Sequence, residues 1–189
     1  EINCNLIQIS TDYVFDGKNH FPYKTNSPRN PLNKYGEGKA LGEKIVEQEL
    51  FPISKSKIIR TSWLMSSEGK NFAKTILELH KCKEEIKVIS DQVGSFTSAD
   101  TLANFIWKII LNEENGIRVP NLLHCTNPGI CSWFDIAFAI GEFAEKNKLI
   151  TKRAKVIPIK AKELLRKANR PYYSVLDSIN SWNVISMEP

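Results

Sequence analysis

Five short apolar runs punctuate this chain, and segments with helical periodicity fill the spaces between them. Residues 5–10 and Lys57–Thr61 read as buried strands, as do the shorter runs 86–89 and 122–125. The run 156–159 contains Pro158, which cannot donate to a ladder, so it reads as an edge strand. Leu102, Phe105, Ile106, Ile109 and Ile110 recur at helical spacing until Asn115-Gly116, a C-cap signal. Ser132 with Asp135 three positions later predicts a capped helix through Phe134, Ala137, Phe138 and Ala144. Phe72, Ile76 and Leu79 mark another. Strands that alternate with helices restrict the chain to an α/β fold with a largely parallel sheet.

Composition then excludes several classes. Lys and Arg number 26 against 21 Asp and Glu, a net +5, and the basic residues are scattered among acids. That describes a solvated lysine-rich surface and not a nucleic-acid stripe, so no nucleic-acid partner is expected. No apolar run approaches the ~18 residues of a membrane span. Cys4, Cys82, Cys125 and Cys131 form no C-x-x-C pair, which fits reduced thiols and a cytoplasmic location. His80 with Cys82, and His124 with Cys125, lie at spacings that point their side chains apart, so no metal site is expected. The chain opens on Glu1 and enters an apolar strand almost at once, so it reads as part of something longer.

The informative stretch runs from Ile9 to Val46. Ser10-Thr11-Asp12 follows a buried strand at its carboxyl end, where open α/β sheets place their ligands. The segment 16–32, with Pro22, Pro28 and Pro31, reads as a long ordered loop, and loops of that length tend to be functional. A helix then runs from about Asn33 to Leu50. At 100° per residue, Tyr35, Lys39, Gly42 and Val46 fall within about 60° of one another. Leu41, Ile45 and Leu50 flank that line, while Glu37, Glu43, Lys44, Glu47 and Gln48 take the opposite side. Lys39 is thus expected to face inward, where an unpaired ammonium is costly. Gly36, Gly38 and Gly42 cost the helix about 2–3 kcal/mol in propensity, as if making room for something. A lysine one turn from a tyrosine favours the phenolate, so Tyr35 and Lys39 suit proton exchange with a substrate oxygen, and Thr11 can hydrogen-bond the same atom.

Residues 10–17 (Ser-Thr-Asp-Tyr-Val-Phe-Asp-Gly) and 31–43 (Pro-Leu-Asn-Lys-Tyr-Gly-Glu-Gly-Lys-Ala-Leu-Gly-Glu) resemble the extended short-chain dehydrogenase/reductases, most closely the dTDP-4-dehydrorhamnose reductase branch. Arg60-Thr61-Ser62-Trp63, Asn71–Thr75, Ser90–Gly94 and Asn169-Arg170-Pro171 extend the likeness over nearly the whole chain. The resemblance implies a Rossmann-like doubly wound parallel sheet, residues 1–189 being its C-terminal part. A small α/β substrate-binding lobe would come from roughly residues 65–100 and 125–189.

The implied activity is NADPH- or NADH-dependent reduction of the 4-keto group of a dTDP-sugar, and the resemblance admits a homodimer. Thr11, Tyr35 and Lys39 would be catalytic. Ser10, Tyr35 and Lys39 would meet the cofactor. Thr11, Asp12, Trp63 and Arg170 would meet the substrate, Trp63 walling the sugar pocket and Arg170 meeting phosphates. Three departures stand out: Ile9 replaces the family's usual Tyr, Ser95-Phe96 replaces Ala/Val-Pro before Thr97, and no glycine-rich phosphate loop occurs. That loop is expected in an N-terminal part outside these 189 residues. A related dehydratase would carry Glu where Tyr13 stands. An epimerase, or a non-catalytic relative such as the regulatory subunit of methionine adenosyltransferase, stays open.

Overall fold

A computed structural model describes residues 4–164 and 168–188. Three parallel strands form the main sheet in the order β1 (Ile7–Thr11), β2 (Lys57–Thr61), β7 (Leu122–His124). Between β1 and β2 runs α1 (Lys34–Glu49). Between β2 and β7 come β3 (Leu64–Met65), α2 (Phe72–Cys82), β4 (Glu85–Ile89), β5 (Val93–Gly94), β6 (Thr97–Ser98) and α3 (Ala99–Glu114). After β7 follow β8 (Cys131–Ser132), α4 (Trp133–Lys146), β9 (Lys155–Ile159) and α5 (Ile179–Val184).

Strand parity puts helices on both faces of the sheet. Ile9, Ile59 and Leu123 stand on one face and pack against Leu102, Phe105 and Ile109 of α3 and Trp182 of α5. Ser10, Arg60 and His124 share the other face, aligned in one row by the strand register. There α1 covers Ser10 and Arg60 through Glu43, while Phe15 meets His124 edge-on. This is the doubly wound arrangement expected of the chain. A second core joins Ile76 of α2, Ile86 and Val88 of β4, and Ala137 of α4, over the parallel pair β4–β9. Pro158 lies on β9, which among the described residues is paired on one side, as its missing donor requires. Trp182 and Ile185, grouped by sequence with the smaller lobe, belong instead to the main core.

The helix boundaries follow their caps. Asn33 accepts from the Gly36 amide (2.9 Å), and Ser132 and Asp135 form the reciprocal capping box. The α3 helix gives way at Asn115 to Gly116, whose φ is +76°. The long loop is ordered by its own contacts. Tyr23 stacks on Phe15 (4.2 Å) and donates its hydroxyl to Asp16 (2.9 Å), while its amide donates to Val175 (2.8 Å).

Candidate active site

The carboxyl end of β1 brings the expected residues together, but not in the expected orientation. Lys39 is half-buried at the rim, and its Nζ donates to the Ile9 carbonyl (3.0 Å). Tyr35, one turn earlier, is 57% exposed and meets the Tyr13 ring edge-on at 5.9 Å. The inward stripe of α1 is Gly36, Glu43 and Val46, while Leu41 and Ile45 are exposed. The stripe is rotated from the one predicted by apolar spacing, and its reason is charge.

Glu43 was placed by spacing on the outer side; the structure buries it completely. Arg60 grips it with two bonds, Nε to Oε1 (2.9 Å) and Nη2 to Oε2 (2.6 Å). Arg29, delivered by the long loop, adds a third (2.9 Å), and the Ser10 hydroxyl donates to Oε1. Burial alone would raise the Glu43 carboxyl, but Arg60, Ser10 and Arg29 hold it below the ordinary 4.5. Arg60 also donates to the Thr25 carbonyl (2.9 Å) and lies over the Phe15 ring (5.0 Å). Ser10 was expected at the cofactor. Its hydroxyl is instead buried and committed to Glu43, because a buried carboxylate needs every donor within reach. The signal that could have revealed Glu43 was Arg60 itself, a cation in the middle of an otherwise buried strand.

The glycines of α1 divide. A Cβ at Gly36 would come within 2.2 Å of the Tyr13 carbonyl, so only glycine lets the first turn sit against that backbone. A Cβ at Gly42 would lie a tight 3.2 Å from the Gln8 side-chain amide nitrogen. A Cβ at Gly38 would meet nothing within 4 Å, so this glycine makes room for nothing among the described residues.

Thr11 and Asp12 are both buried. Thr11 Oγ1 donates to Asp12 Oδ1 (2.9 Å) and accepts from the Tyr13 amide (3.2 Å). Asp12 Oδ2 has no hydrogen-bond partner among the described residues. Burial pushes this carboxyl from 3.8 up to about 6, against the opposing pull of the Ser174 and Thr11 hydroxyls. A carboxyl whose folded value is raised makes the fold lose stability as pH climbs from its unfolded value through about 6. Asp12→Asn should therefore gain roughly 1–3 kcal/mol at about pH 8 and little near pH 4. Thermal melts at the two pH values test this; an equal shift at both would remove the ionisation argument.

Trp63 follows β2 with φ +44°, a conformation that bulky residues rarely adopt. Its ring stacks on Trp133 at 3.8 Å and 16°. Arg170 is exposed at a cavity of about 320 Å3 that Trp133, Phe72 and Leu164 also line. Its neighbour Asn169 accepts at its carbonyl from the Asn33 side chain (2.8 Å), which draws this segment to the start of α1.

His80 and His124 have structural partners. His124 Nδ1 donates to the Asp177 carbonyl (3.2 Å) and Nε2 faces Arg60 (3.4 Å). Burial, then the Arg60 charge, pushes His124 down to about 3, so it stays neutral. Buried His80 links the Ala137 carbonyl (3.0 Å) to the Ala154 amide (3.2 Å). No described helix is long and apolar enough to cross a membrane.

The spore coat polysaccharide biosynthesis protein SpsK of Bacillus subtilis is 38% identical over 93% of this chain and 56% of its own length. The dTDP-4-dehydrorhamnose reductase of Escherichia coli K12 is 36% identical over 94% and 58%. A dTDP-4-dehydrorhamnose reductase structure from Clostridium acetobutylicum superposes with a TM-score of 0.82 at 40% identity, covering 97% of this chain and 60% of that one. The corresponding Bacillus anthracis structure, in complex with NADP, gives 0.80 at 33% identity over 97% and 60%. The chain thus spans 56–60% of the length of these four relatives. The family model for the RmlD substrate binding domain matches residues 1–188, and the chain belongs to that family.

Proposed function

We propose that this chain forms the substrate-binding and proton-donating part of an NADPH- or NADH-dependent reductase that converts the 4-keto group of dTDP-4-dehydro-L-rhamnose to the alcohol. The observation that carries the reading is the meeting of Thr11 and Asp12, at the end of β1, with the Tyr35–Lys39 turn of α1, joined by the Lys39–Ile9 hydrogen bond.

Ketone reduction adds a hydride to carbon and a proton to oxygen, and a bound nicotinamide supplies the hydride. Tyr35, with its phenol exposed at the rim, donates the proton to the C4 oxygen. Lys39 commits one of its three N–H groups to Ile9 and holds its charge one turn from the phenol. The same ammonium suits a ribose hydroxyl of the cofactor. Thr11 can turn its hydroxyl from Asp12 to the C4 oxygen, and the partnerless Asp12 oxygen suits a sugar hydroxyl. Trp63 walls the sugar and Arg170 meets the phosphates. Arg170 belongs to the smaller lobe, from about residues 65–100 and 125–178, and Trp63 borders that lobe just past the end of β2. The reading carries a cytoplasmic location and admits a homodimer.

The test is oxidation of NADPH or NADH in the presence of dTDP-4-dehydrorhamnose, by a protein of the relatives' full length. Binding of the sugar nucleotide without cofactor oxidation would overturn the catalytic reading and favour a non-catalytic relative.

A further inference from the structure

We propose that Trp133 is a positioning residue that holds Trp63 in place, so that the sugar-pocket wall is set from the smaller lobe through the Trp63–Trp133 stack. The proposal rests on the reading of Trp63 as that wall.

Trp63 cannot hold its own pose. A left-handed backbone at a bulky residue persists only where the surroundings over-determine it. Three contacts do so. The Trp63 carbonyl accepts from the Thr97 amide (3.3 Å). The indole lies on Gly94, where a Cβ would approach Cε2 and Cζ2 to 2.9 Å, so any other residue would push the ring away. Trp133 covers the ring at 3.8 Å, nearly parallel. Trp133 is itself fixed by Phe72, which meets it edge-on at 4.5 Å.

Two of these holders share one origin. The antiparallel pair of β5 and β8 sets Val93 opposite Ser132 and Gly94 opposite Cys131. Gly94 therefore comes from one strand, and Trp133 is the residue directly after the other. The capping box of Ser132 and Asp135 fixes the direction in which α4, and with it Trp133, leaves the strand. A two-strand ribbon thus presents a gap and a flat ring, and the Trp63 indole meets both. Trp133 also lines the cavity at which Arg170 is exposed, so it joins the sugar wall to the proposed phosphate contact.

The test uses the protein at its relatives' full length, with Trp133→Leu, Trp133→Phe, Trp63→Leu and, as a control, Trp107→Phe, an exposed residue of α3. Two stacked indoles couple their transitions, so far-ultraviolet circular dichroism should show an exciton couplet. It should vanish in both Trp133 variants and survive in Trp107→Phe. Trp133→Leu should raise KM for the sugar nucleotide by about three- to tenfold, the range of an aromatic pair, with kcat and the cofactor KM little changed. Trp133→Phe keeps a ring and should recover most of that loss, which a merely structural role would not require. A wild-type spectrum without the couplet overturns the proposal. So does an unchanged KM in Trp133→Leu when Trp63→Leu raises it. If Trp63→Leu leaves KM unchanged, the wall reading fails, and the proposal fails with it.

Discussion

Tyr35→Phe should lower kcat by about 10²–10⁴-fold while leaving sugar-nucleotide binding and the thermal melt almost unchanged. The substitution removes one hydroxyl and keeps the ring that meets Tyr13 edge-on. Tyr35 is 57% exposed, so its oxygen contributes little to the folded core. The proposed role is confined to the proton reaching the C4 oxygen, a transition-state event, so the loss should fall on kcat and not on KM. The measurement is steady-state kinetics of the full-length protein beside calorimetric binding of the sugar nucleotide. Turnover like the wild type would show that another group donates the proton.

Glu43→Gln should cost about 3–5 kcal/mol of stability, the penalty for leaving the other half of a buried ion pair unpaired. Arg60 is 1% exposed and would keep its charge beside a neutral amide, with the Thr25 carbonyl, His124 Nε2 and the Phe15 ring as its remaining support. The pH dependence gives an independent check. The Glu43 carboxyl is held below its ordinary 4.5, so its contribution is full above that value and is lost as pH falls through the depressed folded value. The wild type should therefore lose stability in acid more steeply than Glu43→Gln. Denaturant titrations across the acid range would show it, and parallel curves would mean that the cluster carries no net ionic stabilisation. Activity should fall as well, since Glu43 ties α1, and with it Tyr35 and Lys39, to Ser10 on β1.

The legible part of this molecule is the part governed by local chemistry. Periodicity and caps marked β1, β2, β4, β7 and β9 and helices α1 to α4, because each satisfies its pattern within a few residues. The two-residue strands β3, β5, β6 and β8 carry no periodicity and exist through their partners. Thr11, Asp12, Tyr35 and Lys39 were legible as a group, since a strand end and the next helix must meet in a crossover unit.

The sequence by itself determined the α/β class, the order of β1, β2, β4, β7 and β9 with helices α1 to α4, and the residue types gathered at the end of β1, because hydrophobic period and capping act over one or two turns of chain. Tertiary structure alone decided which face of α1 turns inward. Apolar spacing favoured Tyr35, Lys39, Gly42 and Val46, yet Arg60, a cation buried in β2, draws Glu43 under the sheet and leaves Leu41 and Ile45 in solvent. The same holds for Trp63, whose seat is built by Gly94 and Trp133, residues 31 and 70 positions further along the chain. A buried charge must find its counter-charge and a ring its stacking partner wherever the fold supplies them, and those distances through space are not written in any local pattern.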